Sequence, residues 1–332
     1  MPNLFTHYLC GQKALLQSGN PAIRETILQN RQIFNLGTQG PDILFYYRVW
    51  PWLSSKEIDE AGETIHNEKV SDFFAAALSY IQSCPDPGRN QLSAYLFGYL
   101  CHYALDCAAH PYVFYVTGFV RKGDPPTKKY NYYHRMFETA VDVLMVERDL
   151  GLNIYDLKAT ELIHLSRSEE AKIARMYHQL LPTVYGIDIS TNQVITAIHD
   201  MKRIFAVLRD KYGSKKKLLS QVENRIAAPG AFTSTIYPRK VRDDLDYLNH
   251  KHSSWHLPWD DSKESTASFM DLFDKAIIDT LSLWQAACSY LREEISLEDA
   301  TAQIGNRSFS TGLDCNLDLE FKYFDCIYER LL

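Results

Sequence analysis

The chain has 332 residues, of which 46% are hydrophobic and 23% charged, and its formal net charge is -6. This is the composition of a globular protein, and it excludes a disordered or fibrous one. The mildly acidic balance argues against a broad basic face of the kind that coats nucleic acid or an anionic membrane, so no stable nucleic-acid partner is expected.

The compartment follows from three features of the sequence. The seven cysteines are scattered and contain no Cys-x2-Cys pair, which predicts reduced and mostly buried thiols. No apolar run approaches the roughly 18 to 20 residues that a membrane-spanning helix needs. The first residues, MPNLFTHYLCGQK, lack the charged and then apolar layout of a signal peptide. We therefore expect a cytoplasmic protein without a transmembrane segment, of undetermined oligomeric state.

Helical periodicity dominates the chain, and alternating strand patterns are almost absent. The first predicted helix begins at Pro21, with Ser18 and Asn20 as candidate caps. A longer helix contains Pro111, which predicts an end or a kink at that point. The predicted helices cover residues 21–34, 72–83, 90–116, 130–149, 168–181, 191–212, 215–226, 262–294 and 317–332. The fold class is therefore predicted to be all-α, a multi-helix bundle.

The chain shows neither an internal repeat nor a low-complexity linker, which favours a single all-helical domain over residues 1–332. The histidines and acidic residues of most interest lie in the first 142 positions. Residues 1–150 are therefore predicted to carry the site, and residues 151–332 to buttress or cover it.

The segment CHYALDCAAHPY places His102, Asp106 and His110 at intervals of four residues. On a helix, four residues advance about 40° and rise about 6 Å, so the three side chains form one stripe. All three are good ligands for a divalent metal.

The segment YYHRMFETAVD repeats this spacing, with His134 and Glu138 one turn apart and Asp142 one turn further on. The connection between the two helices is short, which predicts antiparallel neighbours. Two such buried stripes would be costly without a positive partner, and this favours a metal site between the helices. Three more candidate ligands precede them: His7, Asp42 and His66.

The order of these residues resembles that of the zinc-dependent phospholipase C family, which shares its fold and trinuclear zinc site with the fungal single-strand nucleases. The family pattern is an early His, an Asp, a His, then His-x3-Asp followed by His on one helix, and His-x3-Glu on another. The chain offers, in that order, His7, Asp42, His66, His102, Asp106, His110, His134 and Glu138.

The resemblance implies two or three zinc ions. One would be held by Asp42, His66, His102 and Asp106, and a second by His110, His134 and Glu138. A third would use Asp106 and His7, with Met1 or Pro2 replacing the mature N-terminus that serves in the secreted enzymes. Only three residues separate Asp106 from His110, where those enzymes have five, and the membrane-binding β-sandwich that some of them carry has no counterpart here.

Zinc chemistry and the resemblance indicate the same reaction class. Two or three Zn²⁺ ions outweigh the three carboxylates, so the site would attract a phosphate, and zinc activates water near neutral pH. The sequence thus predicts a zinc-dependent phosphoester hydrolase, with phospholipid the candidate substrate. By resemblance Asp42 is a candidate general base as well as a ligand. Asp142 is a candidate partner that orients His134 or His110, or else a surface charge.

Two segments are weaker candidates for substrate binding. Tyr46 and Trp50, in LFYYRVWPW, would line an apolar mouth or simply fill the core. Lys122 and Lys128 lie in a basic loop that would receive an anionic head group or merely be solvated.

Two alternative functions stay open. One is a single-strand nuclease-like enzyme or another small phosphodiesterase, and the other is a non-catalytic zinc-binding helical protein. Structural zinc sites are commonly closed by cysteine ligands, whereas the predicted ligand set contains none, and this favours catalysis.

Overall fold

The computed structural model describes residues 4–49, 56–225, 230 and 233–330. Within these residues the regular secondary structure is helical apart from one small antiparallel hairpin and one isolated β-bridge, so the all-α prediction is confirmed. None of the helices described has both the length and the apolar character needed to cross a bilayer.

The described residues up to position 150 form seven α-helices. They are α1 (Leu4–Gln17), α2 (Pro21–Gln29), α3 (Arg31–Gly37), α4 (Lys56–Asn67), α5 (Val70–Ser83), α6 (Gly88–Thr117) and α7 (Lys129–Leu150). Short 3-10 helices cover Gly40–Tyr46 and Pro125–Lys128.

The described residues after position 150 form six more α-helices and the hairpin. They are α8 (Ala159–Leu162), α9 (Arg167–Tyr185), α10 (Thr191–Leu208), α11 (Ser214–Arg225), β1 (Trp255–Leu257), β2 (Asp260–Ser265), α12 (Phe269–Leu291) and α13 (Leu297–Ile304). Two further 3-10 helices cover Ile154–Asp156 and Thr233–Thr235.

Helix α6 is the central element of the fold. It has 30 residues and packs against α3, α12, α1 and α7, so that its side chains are buried around most of its circumference. The helix runs through Pro111 to Thr117. The prediction that it ends at Pro111 is therefore wrong.

The caps explain where several helices begin and end. The Asn20 side chain accepts hydrogen bonds from the backbone N–H groups of Ala22 and Ile23, as predicted for an N-cap. The single predicted helix over 21–34 is instead two, since α2 ends at Gln29 and α3 begins at Arg31. Helix α7 ends just before Gly151, which adopts the left-handed conformation.

Two predicted helical segments are wrong. Residues 262–265 belong to β2, and α12 begins only at Phe269, because Ser268 and Asp271 form a capping box there. Residues 317–330 are not helical. In this segment the N–H groups of Asp325 and Ile327 donate to the carbonyls of Tyr115 and Val116, which the end of α6 leaves free.

The buried apolar side chains form one continuous cluster that runs from Leu4 to Tyr328. It includes residues from both halves of the chain. The assignment of residues 1–150 to the site and of 151–332 to its support stays a prediction.

Candidate metal centre

Five elements bring the eight candidate ligands together. Four of these elements are α-helices, and the 3-10 helix Gly40–Tyr46 is the fifth. They supply His7 (α1), Asp42 (the 3-10 helix), His66 (α4), His102, Asp106 and His110 (α6), and His134 and Glu138 (α7).

Asp106 lies at the centre of the cluster. Its Oδ2 atom is 2.9 Å from His102 Nε2 and 4.0 Å from His66 Nε2. Its Oδ1 atom is 3.3 Å from His7 Nε2 and 3.8 Å from His110 Nε2. One carboxylate thus faces four imidazoles, an arrangement suited to a group that bridges metal ions.

The other two carboxylates each face a pair of histidines. Asp42 Oδ1 lies 3.1 Å from His66 Nε2, and Asp42 Oδ2 lies 3.6 Å from His102 Nε2. Glu138 Oε1 lies 2.9 Å from His134 Nε2 and 3.8 Å from His110 Nε2.

Three groups of side chains have ligand atoms within 4.8 Å of one another and could each hold a metal ion. Since all three groups lie in one cluster, the geometry can accommodate more than one ion. The groups are His7, His102 and Asp106; Asp42, His66 and His102; and His110, His134 and Glu138.

Backbone carbonyls orient three of the histidines. The Nδ1 atom of His66 is 2.7 Å from the Gly62 carbonyl oxygen, and that of His102 is 3.2 Å from the Thr38 oxygen. His110 Nδ1 is 2.9 Å from the Phe309 oxygen. Because a carbonyl only accepts, each Nδ1 carries the proton, and each Nε2 points at a carboxylate.

An Nε2 lone pair and a carboxylate oxygen are both acceptors, so a proton or a metal cation has to lie between them. Among the described residues, His102 Nε2, Asp42 Oδ2 and His7 Nδ1 are buried and make no hydrogen bond. Each such atom costs about 1–3 kcal/mol when it is left unpartnered. The nitrogen and oxygen donors fit zinc, which would relieve that cost at His102 Nε2 and Asp42 Oδ2.

The electrostatics of the cluster keep Asp106 and Glu138 ionised. Burial acts to raise the pKa of Asp106, but the charges of His102, His110 and His7 outweigh it and hold that pKa well below its usual range. Burial also acts to raise the pKa of Glu138. The neighbouring His134 and His110 outweigh burial and lower that pKa far below its ordinary value.

Of the histidines in the cluster, the two nearest solvent have pKa values that shift in opposite directions. Burial lowers the pKa of His134. Burial would also lower the pKa of His110, but Asp106, Glu138 and the Phe309 carbonyl overcome that effect and raise it to about 9. In the metal-free protein, a proton on His110 therefore occupies part of the space that a cation would fill.

A glycine permits the close approach of Asp42 to His102. Gly40 begins the 3-10 helix that carries Asp42, and it has a φ of +51°. A Cβ atom at this position would lie 2.4 Å from Cδ2 of His102. Any other residue would therefore have to displace either the 3-10 helix or the imidazole.

Comparison with known proteins identifies a family that this chain matches. Residues 6–187, more than half of the chain, match the family model described as zinc dependent phospholipase C. The chain belongs to this family. The resemblance inferred from the sequence is thereby confirmed, and the match includes all eight candidate ligands. A comparison with curated proteins gave no match, and a comparison with solved structures gave none either.

The prediction that Asp142 orients His134 or His110 is wrong, because Asp142 bonds to other residues. The Asp142 carboxylate instead accepts hydrogen bonds from the first turn of α1 and from the Tyr237 hydroxyl, which lies 2.8 Å away. A buried carboxylate needs hydrogen-bond donors. The first turn of α1 supplies them, because its backbone N–H groups have no partner within the helix. Asp142 therefore anchors the helix that carries His7.

Three of the four predicted substrate-binding residues are among those that the structure describes, and none of the three belongs to the groups of candidate ligands. Tyr46 is 2% exposed, packs against Phe205 and lines an apolar pocket together with Arg135. Trp50 lies outside the described residues. Lys122 and Lys128 are exposed, and they stay candidates for contact with substrate.

One residue that the sequence did not indicate lies against the ligands. Phe309 is fully buried, its carbonyl faces His110, and its ring packs 4.9 Å from the His66 ring and 5.9 Å from the His102 ring. It lies outside the span matched by the family model, and no local pattern connects it to the earlier ligands.

Proposed function

We propose that this member of the zinc-dependent phospholipase C family is a zinc-dependent phosphoester hydrolase that cleaves a phosphodiester, most specifically that of a phospholipid. The observation that carries the proposal is the set of imidazole Nε2 atoms that point at carboxylate oxygens although both are acceptors. Family membership supports zinc as the cation that separates them.

The proposed ligand sets follow the three groups of the cluster. Asp42, His66 and His102, joined by Asp106, would hold one ion, and His110, His134 and Glu138 would hold a second. His7 and Asp106 would take part in a third. Zinc, when bound in such sites, supplies Lewis-acid activation of water and neutralises charge on a phosphoester.

Residues of the chain would supply the general base and exclude bulk water. Asp42 Oδ1 faces His66, while its Oδ2 receives no hydrogen bond from the described residues and is free to accept a proton. Asp42 is therefore proposed as general base as well as ligand. Its burial, like that of His102, excludes bulk water from this side of the cluster.

The substrate would approach from the other side. The side chains of His110 and His134 are 16% and 13% exposed, whereas that of His102 is fully buried. A phosphoester can reach the cluster only where it meets solvent, and this exposure supports an entrance beside α7 and the segment that precedes it.

The test combines a metal measurement with an activity assay. Bound zinc is measured in the wild type, in Asp106→Asn and in Asp210→Asn, a matched control because Asp210 is equally buried but lies outside the cluster. The three proteins are then assayed on phosphatidylcholine vesicles, single-stranded DNA and bis(p-nitrophenyl) phosphate. We expect Asp106→Asn alone to lose zinc and hydrolysis.

Each outcome has a distinct meaning. Hydrolysis of the lipid but not of DNA supports the phospholipase C proposal, and cleavage of DNA instead supports the nuclease-like alternative. Zinc binding without hydrolysis of any substrate points to a non-catalytic zinc-binding protein. If the wild type binds no zinc and cleaves nothing when zinc is added, the proposal fails. The cytoplasmic location stays a prediction from the sequence.

A further inference from the structure

A loop near the C-terminus, residues 306–315, lies directly against the candidate metal centre. We call it the 306–315 loop. It follows α13 and lies outside residues 6–187, the span that the family model matches. Its contacts with the helices that carry ligands are direct hydrogen bonds.

Three consecutive residues of the loop bond to α6. The Arg307 N–H donates to the Tyr103 hydroxyl at 3.0 Å, and the Cys107 thiol donates to the Ser308 carbonyl at 3.4 Å. The Phe309 carbonyl then accepts from His110 Nδ1. Tyr103, Cys107 and His110 are four and three residues apart, so the loop follows one face of the helix beside the ligand stripe.

The same loop also bonds to α4, the helix that carries His66. The Phe309 N–H donates to the His66 carbonyl at 2.9 Å, and the Ser308 hydroxyl donates to the Asn67 side chain, also at 2.9 Å. Phe309 therefore connects His66, of one candidate zinc site, with His110, of another.

Pro111 and Gly312 account for how closely the loop approaches α6. Proline has no N–H, so Pro111 leaves the Cys107 carbonyl without its usual donor in the helix. Gly312 packs against this carbonyl, and a Cβ atom at Gly312 would lie 2.3 Å from its oxygen. Only glycine fits here without displacing the loop.

The loop is held in shape by its own hydrogen bonds. The Gly312 N–H donates to the Ser308 carbonyl at 2.8 Å, and the Cys315 N–H donates to the Asn306 carbonyl at 2.8 Å. The Arg307 guanidinium also pairs with Asp279 of α12 at 3.2 Å. A loop that is preorganised in this way can fix the direction of a ligand instead of following it.

We propose that the 306–315 loop positions the metal centre, with Phe309 as the positioning residue: its carbonyl fixes the Nδ1–H tautomer and ring orientation of His110, while its N–H and ring hold His66. This inference rests on the proposed function, because it concerns the zinc ligands of the same site. It assigns a specific role in that site to a part of the chain beyond the family match.

The principal test displaces the loop without altering a ligand. Gly312→Ala places a methyl group against the Cys107 carbonyl, and Gly186→Ala is the matched control. The two glycines have φ values of +67° and +70°, but a Cβ at Gly186 would meet nothing within 4 Å. Both variants therefore carry a similar backbone strain, and only Gly312→Ala moves the Phe309 carbonyl.

Zinc affinity is measured by competition with a chromophoric chelator, and ligand geometry by the absorption spectrum of the Co²⁺-loaded protein. Circular dichroism establishes that each variant is folded at the temperature used. We expect Gly312→Ala to weaken at least one zinc site by about 10- to 100-fold and to change the Co²⁺ spectrum. Gly186→Ala should match the wild type in both. A folded Gly312→Ala that binds zinc as the control does would overturn the inference.

A second measurement needs no variant and applies even if Gly312→Ala fails to fold. Long-range ¹H–¹⁵N NMR spectra of the zinc-loaded wild type report which nitrogen of His110 carries a proton. We expect the proton on Nδ1, facing Phe309. If zinc is bound but Nδ1 of His110 lacks the proton, the inference about the loop fails and the proposed function stands. If the wild type binds no zinc, the proposed function fails first.

Discussion

Asp142 on α7 holds Thr6 on α1 through two hydrogen bonds, one from the Thr6 backbone N–H at 2.7 Å and one from its hydroxyl at 2.5 Å. The Phe5 N–H at 3.0 Å and the Tyr237 hydroxyl are the other donors. His7 follows Thr6 directly. A candidate zinc ligand is thus placed by a carboxylate that bonds to the neighbouring residues of its helix.

The protonation of Asp142 should make stability depend on pH. Burial raises the pKa of this carboxyl from 3.8 to about 7, although the hydrogen bonds from Thr6, Phe5 and Tyr237 oppose the shift. An acid whose pKa is higher in the folded state stabilises that state below the unfolded pKa, and this contribution is lost as pH rises through the folded pKa.

We therefore expect the free energy of unfolding of the wild type, relative to Asp142→Asn, to fall between about pH 4 and pH 7. The decrease should reach at most about 1.4 kcal/mol per pH unit and stop above pH 7. Urea unfolding of both proteins at several pH values, with the same metal load, measures it. A difference that does not vary with pH would contradict this prediction.

Gly40→Ala should weaken zinc binding more than it weakens the fold. The new methyl group would lie 2.4 Å from the His102 ring, which has to move away from Asp42. Gly151→Ala is the control, because Gly151 also has a positive φ but open space around its Cβ position. Zinc affinity should fall at least about 10-fold in Gly40→Ala and stay unchanged in the control, as measured by chelator competition.

Zinc affinity should increase with pH above neutrality. The His110 pKa of about 9 means that the metal-free protein carries a proton there at pH 7, and zinc has to displace it. The stabilisation that this proton gives the metal-free protein is present below about pH 6.5 and is lost as pH rises through about 9.

The apparent zinc affinity should accordingly rise by up to about tenfold per pH unit from pH 7 to pH 9 and then level off. Competition titrations across this range measure the slope. An affinity that is constant between pH 7 and pH 9 would rule this explanation out.

The exposed lysines near the proposed entrance should affect substrate binding rather than the chemical step. If Lys122 and Lys128 contact an anionic substrate, replacing both with Gln should raise KM several-fold and leave kcat unchanged. Lys275→Gln, at an exposed position on α12, is the control. Equal KM values in the double variant and the control would show that the basic loop is only solvated.

The sequence indicated the helical stripes because their information is local. Spacing of four residues is enough to place His102, Asp106 and His110 on one face of α6, whatever surrounds the helix. The helix that carries His66 was not predicted, although Ile58, Ala61 and Ile65 recur along it at helical spacing and are buried. Its many charged residues obscured that pattern.

Other features of the centre depend on contacts that no local pattern reports. Asp142 is one turn from Glu138, yet it bonds to residues of α1 that lie more than 130 positions away and to Tyr237. The residues after 316 have helical spacing but instead bond to the free carbonyls at the end of α6. In both cases tertiary hydrogen bonds override the local preference.

The hydrogen bond between His110 and Phe309 joins residues 199 positions apart, so it forms only after residue 309 has emerged from the ribosome. Closing such a long loop is a slow and entropically costly step in folding. On a nascent chain, α6 and α7 would present their histidines before the 306–315 loop arrives to hold them. Mature metal affinity would then be acquired as a late folding event, and a chain truncated before residue 306 would be expected to bind zinc weakly even with every candidate ligand present.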